Sequence, residues 1–330
     1  MYKRSLIGLI FLFPSMLYGQ GKISGLAFGD FYYIVSHHNR SLQDQNGFWY
    51  RRIYFTYDRD LGEHFSTRLR LEMNHPGNFT AGDAVPYVKD AYLQWKLHPQ
   101  HTVILGILPA PMFEQVEAAW GYRSIEKTPG DLYKLGSTRE VGVAAQGSLT
   151  GDGLVRYHAA FGNGEGLRSE GYRGKKLAWA LQAMPASWIL ELYGDYARTR
   201  RGEQATTWHG LVAYKTTSFR IGTIYEVQNV SVDRSGDYTL RYLSIFGAGR
   251  LDARVQLLGR VDRMLEPNPR VGNNTYLPLA TTSKATLWIG GVDIGMTPQV
   301  RFQPNVEVVT YDEEGLDADV FLRWTFLVTF

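Results

Sequence analysis

The side chains best equipped for chemistry in this 330-residue chain are arginines and carboxylates set at even spacings. Arg68 and Arg70 lead to Glu72, Arg254 and Arg260 lead to Asp262, and Arg301 leads to Glu307, while Arg52, Arg156, Arg220 and Arg323 hold comparable places. A guanidinium is permanently charged and its fork matches the oxygens of phosphate or carboxylate, so such rows suit small anions. Asp90 and Glu226 join the acids on the same faces, which makes the rows as much paired as basic. Only nine lysines follow residue 20, and five of them (Lys22, Lys175, Lys176, Lys215 and Lys284) fall near strand ends or in connections. Strong phosphate selectivity asks for a concentrated cationic ladder to offset ion dehydration, so a weak anion preference is the expectation.

Catalysis with these residues needs partners that the sequence does not supply. The absence of cysteine removes thiol nucleophiles, disulfides, thiolate zinc sites and iron–sulfur centres. The serine of GSLTG, residues 147–151, is second and not central, so it makes no nucleophile elbow. His158 and His209 lie in strand-like stretches with no serine or acid assignable to either. His37 and His38, near Asp44, could ligate a metal, yet adjacent side chains point apart on an extended chain, which favours a solvated loop. GNGEG at 162–166 lacks the dinucleotide spacing, and DEEGLD at 312–317 is no EF-hand loop, although an acidic outer loop could hold calcium weakly. The expectation is a protein that is not an enzyme and carries no cofactor or metal. The formal charge of +3, falling to +1 without Lys3 and Arg4, suggests no nucleic-acid partner.

The elements that must position the arginines are strands. Phe65, Thr67, Leu69, Leu71 and Met73 alternate with Ser66, Arg68, Arg70, Glu72 and Asn74, which is the two-residue period of a pleat with one apolar and one polar face. Residues 253–262, 219–228, 300–311 and 320–330 repeat the pattern. Segments of about ten residues match a tilted strand that crosses a bilayer, with apolar residues toward lipid and charges toward a wet lumen. Arg68 and Arg70 facing lipid would cost roughly 2–4 kcal/mol each at mid-bilayer. Trp49, Tyr50, Trp95, Trp188, Trp208, Tyr238 and Tyr311 sit near segment ends, as interfacial girdles do. Three places sort poorly. Lys89 shares a face with Ala91, Leu93 and Trp95; Asp293 falls with Leu287 and Ile289; and Leu243 and Ile245 share the face of Arg241.

Sixteen strand candidates alternate long and short connections, as barrels with long outer loops and short periplasmic turns do. The long ones are expected at 36–46, 74–85, 110–138, 163–174, 197–205, 229–237 and 264–284, with an intermediate one at 312–319. The longest, 110–138, contains the helix-compatible run 113–120 and carries Arg123, Lys127, Lys134 and Arg139 among Glu114, Glu117, Glu126, Asp131 and Glu140. At the N-terminus a basic head with Lys3 and Arg4 precedes an apolar stretch at 6–17, so residues 1–20 read as a signal peptide and 21–330 as the barrel domain.

The last segment ends with Leu322, Trp324, Phe326, Val328 and Phe330 on one face, and it resembles the C-terminal signal read by the outer-membrane barrel assembly machinery. The stretches GFWYRRIYFTYD (47–58), FSTRLRLEMN (65–74), VKDAYLQW (88–95) and WGYRSIEKTP (120–129), leading into STREVG (137–142), resemble the phosphate-selective porin O and P family. The resemblance covers the N-terminal half in wording and the C-terminal half in pattern. It implies a transmembrane antiparallel β-barrel of sixteen strands in the outer membrane of a Gram-negative-type cell, with the third outer loop folded inward. It also implies a homotrimeric passive channel for small hydrophilic solutes or anions, embedded in outer-membrane lipid and assembled through Phe330. The constriction and lumen lining would then comprise Arg123, Lys127, Lys134, Arg139, Arg52, Arg68, Arg70 and Arg301. The rival reading is a plugged barrel with an adhesive or enzymatic role, because patterning is the same for open and plugged barrels.

Overall fold

A computed structural model of the chain describes residues 21–169, 173–198, 202–233 and 236–330. The signal-peptide reading of residues 1–20 lies outside the described residues. The strands are β1 (Lys22–Ser36), β2 (Asn46–Asp60), β3 (Phe65–Asn74), β4 (Val85–His98), β5 (His101–Pro109), β6 (Arg139–Ser148), β7 (Val155–Gly162) and β8 (Lys176–Ala183). They continue with β9 (Trp188–Arg198), β10 (Glu203–Lys215), β11 (Phe219–Val232), β12 (Gly236–Arg250), β13 (Val255–Met264), β14 (Ala285–Gly295), β15 (Val300–Tyr311) and β16 (Asp319–Thr329). Two short helices, α1 (Glu114–Trp120) and α2 (Pro129–Leu132), lie between β5 and β6.

Each strand pairs antiparallel with its sequence neighbours, and β1 closes on β16 to make a sixteen-stranded barrel. Closure satisfies every strand edge, which an isolated sheet in lipid could not do. Gly25 exchanges both backbone hydrogen bonds with Phe330 at this seam. A Cβ on Gly25 would stand 2.1 Å from the tip of the Phe330 ring, so any side chain there displaces that ring.

The alternation holds as the sequence predicts along most of the wall. Leu69, Leu105, Leu177, Leu192, Ile221, Ile245, Leu257 and Trp288 are exposed on the outside, while Glu72, Asp90, Glu191, Arg260, Asp262, Gln303, Glu307 and Arg323 are buried inside. An apolar exterior continuous over a whole barrel is a lipid-covered surface, not a water-covered one.

The poorly sorting residues have specific explanations. A register shift between Arg70 and Leu71 leaves Lys89 as the extra residue of a bulge, so Lys89 and Asp90 both turn inward. A second bulge, between Phe28 and Gly29, makes Arg51 the extra residue of β2, and Arg51 is buried beside Arg52. Leu287 and Ile289 do share a face with Asp293, and that face is the inner one, while Trp288 between them is exposed. On β12, Leu240, Tyr242, Ser244 and Phe246 are buried inside, and Arg241 lies with Leu243 and Ile245 on the outer face, paired with Glu266.

Other expectations need correction. Trp95, Trp188, Trp208 and Tyr50 are exposed as girdle residues should be, but Trp49 is buried. Trp49 bonds Asp30, Tyr238 bonds Arg270, and Tyr311 bonds Asp319. Arg254 belongs to the turn after β12 and not to the lumen. The expected loop at 229–237 is largely strand, because β11 runs to Val232 and β12 begins at Gly236.

Candidate functional site

Residues 110–138 carry their own apolar stripe. Val116, Ala119 and Trp120 of α1 are buried, at the spacing that puts them on one helix face. Gly121 ends the helix in the left-handed region at φ 75°, and a Cβ there would strike the Arg220 guanidinium. Trp120 packs edge-on against Phe246 of β12, and Tyr133 stacks on Tyr242 with ring centres 4.4 Å apart. Inward-facing Leu240, Leu258, Leu287, Ile289 and Phe321 belong to the same buried apolar cluster.

Polar contacts tie this segment to strands far apart around the barrel. Glu126 pairs with Arg51 of β2 at 2.8 Å, and Ser124 donates to Gln303 of β15 at 2.7 Å. Arg260 of β13 donates to the Lys127 carbonyl at 2.6 Å, and its guanidinium lies over the Trp120 ring. Gln228 of β11 donates to the Leu135 carbonyl at 2.6 Å, and Tyr133 donates to Asp262 at 3.2 Å. A second segment, 265–284, packs against the first: Asn268 and Asn274 donate to the carbonyls of Tyr133 and Leu132, and Arg323 donates to Tyr276.

Where the segment is not packed, a cavity of about 260 Å³ remains. Arg52, Arg70, Lys89, Arg123 and Arg139 line it, with Glu117 as the one carboxylate on its wall among the described residues. Carboxylates just behind the wall are shared. Glu72 serves both Arg52 and Lys89 at 3.0 Å, and Asp90 serves both Arg70, at 3.2 Å, and Arg139. Arg123 bonds Glu117 at 3.0 Å and Asp131 at 2.6 Å. With two cations to one carboxylate at both Glu72 and Asp90, the cavity keeps a positive surplus that can attract an anion.

Lys127 adds to that field through Asp131, which it shares with Arg123. Burial opposes ionisation of Asp131, but Lys127, Arg123, Arg52 and Lys89 outweigh it and hold its carboxyl well below the usual range. Burial pushes Lys127 down to about 8, against the pull of Asp131. On β9 and β11 the inner face is different: Glu191 and Glu226 flank His209, with Glu191 at 2.9 Å from its ring.

Of the residues expected at a constriction, Arg52, Arg70, Arg123 and Arg139 therefore meet around one cavity, which neither Lys127 nor Lys134 lines. Arg68 and Arg301 do not join them: Arg68 pairs with Asp58 at 2.7 Å, and Arg301 with Asp293 at 2.6 Å. Lys89 and Arg51 were missed because a bulge decides their direction. The only sequence hint was the failure of Lys89 to sort. The histidine pair differs as well. The rings of His37 and His38 lie 4.3 Å apart, their acid is Asp319, and Asp44 instead accepts from Tyr33.

No protein-family model matches the chain, and no curated protein sequence matches it. Among solved structures, the anion-selective porin from Comamonas acidovorans superposes with a TM-score of 0.73 at 10% identity, over 94% of this chain and 99% of that one. The outer-membrane channel DcaP of Acinetobacter baumannii gives 0.69 at 12% identity, over 96% and 99%. The trimer form of OmpT, an outer-membrane protein of Vibrio cholerae, gives 0.61 at 11% identity, over 94% and 99%. At such identities a likeness is one of fold, and the fold that superposes on these proteins is the closed sixteen-stranded antiparallel barrel of this chain.

Proposed function

We propose that the chain is an outer-membrane porin: a passive channel for small hydrophilic solutes, narrowed by residues 110–138 and leaning weakly toward anions. The observation that carries this reading is the cavity lined by Arg52, Arg70, Lys89, Arg123 and Arg139 against Glu117, the single lining carboxylate among the described residues. Fixed guanidinium forks at a narrow point lower the barrier for carboxylate or phosphate oxygens more than for cations. The inward position of 110–138 is supported by its bonds to β2, β11, β13 and β15. Phosphate is one admissible anion, in keeping with the resemblance to phosphate-selective porins O and P. The sharing of nearly every cation with a carboxylate favours a weak preference over a strict one. Export by residues 1–20, assembly through Phe330 and a homotrimer complete the reading, the last supported by the trimer form of the similar OmpT.

A second reading has its own observation. Residues 110–138 and 265–284 form a buried apolar core with Phe246, Leu287, Ile289 and Phe321 inside the wall, which is how a plugged barrel would be built. Single-channel recording of refolded, signal-free protein in a planar bilayer under a KCl gradient separates the two. Discrete steps with a reversal potential displaced toward anions are expected. Silence from a folded barrel whose gel mobility changes on heating would overturn the channel in favour of the plug.

A further inference from the structure

Outside the basic cavity, one cluster stands out past the C-terminal end of β1. His37 and His38 follow β1, and Asp319 opens β16, its partner across the seam. A register shift between Ile34 and Ser36 makes a bulge just before the histidines, and the Ser36 hydroxyl donates to the Ala318 carbonyl at 2.6 Å. Bulges re-aim side chains, and here both imidazoles are brought to the same carboxylate. His38 Nδ1 lies 2.9 Å from both Asp319 oxygens, and His37 Nδ1 lies 3.8 Å from Oδ1. One ligand atom from each of the three residues falls within 4.8 Å of the others.

We infer that His37, His38 and Asp319 form a binding site for one divalent first-row transition ion such as Zn²⁺. Two imidazoles and a carboxylate are a borderline nitrogen and oxygen donor set, suited to Zn²⁺ and its neighbours and not to Ca²⁺ or Mg²⁺. Bonds of about 2.0–2.2 Å place donor atoms roughly 3–3.5 Å apart, so the observed separations need only small adjustments.

The protonation states fit. The amide of Asn39 donates to His37 Nδ1 at 2.9 Å, so that nitrogen holds a lone pair and the proton sits on Nε2. His37 is only 1% exposed, and its ring meets that of Phe321 edge-on with centres 5.7 Å apart, so the imidazole is held in place beside Asp319. On ligation His37 exchanges the Asn39 hydrogen bond for the metal, and His38 moves its Nδ1 proton to its other ring nitrogen, so no net proton is lost from the pair. Tyr311 donates to Asp319 Oδ2 and the His38 amide donates to Oδ1 at 2.6 Å, which orients the carboxylate as outer partners would and leaves one further lone pair of Oδ1 for the ion. An open cavity of about 540 Å³ borders both histidines and gives water access to the remaining coordination position.

The test is calorimetric titration of Zn²⁺ into the refolded barrel, carrying no histidine tag, with His38→Ala and His38→Gln as variants and His98→Ala as control. Heat-dependent gel mobility verifies that each is folded. One ion per chain is expected, with affinity at least about tenfold weaker in both His38 variants and unchanged in the control. With Cu²⁺ as probe, nitrogen hyperfine splitting from two imidazoles should fall to one in His38→Ala. No Zn²⁺ uptake by the folded wild type, or uptake undiminished in both His38 variants, overturns the assignment.

Discussion

Two arcs of the same barrel wall obey one pleat and present opposite interiors. From β2 to β4 the inner face carries Arg51, Arg52, Arg70, Glu72, Lys89 and Asp90, and it borders an open cavity. From β12 to β14 the inner face offers Tyr242, Phe246, Leu258, Leu287 and Ile289, and residues 110–138 lie against much of it. Both arcs keep an apolar exterior. The inner face of a barrel is thus not polar by rule. It is charged where it borders the cavity, while the covered arc is mostly apolar with a few buried charges such as Arg260 and Asp262 paired to each other, because burial of apolar area stabilises a docked loop by about 25 cal/mol per Å².

The comparison breaks most visibly if the covered arc loses its anchor. Trp120 is fully buried, and Trp120→Ala should cost about 3–5 kcal/mol at the docked segment. Single-channel conductance should rise severalfold while heat-dependent gel mobility persists, since the strand ladders are untouched. An unchanged conductance would show that the docked segment does not narrow the path.

Next in size is the buried pair that pins the segment to the open arc. Arg51→Ala leaves Glu126 and Asp30 without that cation, a loss of about 3–5 kcal/mol for uncompensated buried charge. Faster proteolysis within 110–138 is the expected readout, and Arg51→Ala combined with Glu126→Gln should recover part of the protection.

The charge surplus is sharpened by Arg123→Gln with Arg52→Gln. Removing cations at the cavity should change the ion barrier by about 1 kcal/mol after screening, about fivefold in anion over cation preference, read from reversal potentials. Arg301→Gln, whose partner is Asp293 and which lies outside the cavity, should shift the potential far less.

A smaller effect follows from Lys127, which burial holds at about 8. It is charged below that value and neutral above it, so anion preference should decline as pH rises from 7 to 9. The same lowered pKa works against folding while the lysine is charged, and this penalty fades as pH climbs from about 8 toward the ordinary lysine value. The pH step in reversal potential should vanish in Lys127→Gln. Smallest of all, Arg241→Ala on the outer face removes an exposed pair with Glu266 and should leave conductance and gel mobility unchanged.

Much of the architecture was legible along the chain. The loop expected at 74–85 separates β3, ending at Asn74, from β4, beginning at Val85, and the expected inner and outer faces of 65–74 and 300–311 are the observed ones. Half of the expected constriction set, Arg52, Arg70, Arg123 and Arg139, gathers at one cavity. Lys89, Arg51 and the pairing of His37 with Asp319 were not legible. Each depends on a bulge, and a single inserted residue leaves no period of its own to detect.

What the sequence determined by itself is what repeats locally: strands of alternating polarity, their order, their turns and the apolar exterior. Alternation is written in neighbouring residues, and antiparallel hairpins need no distant partner to set their register. The tertiary structure alone decided which inner face stays wet and which is covered. Leu287 reads the same in either role, and only the docking of residues 110–138 and 265–284 against the inner wall turns that leucine into core and Arg52 into the lining of a cavity.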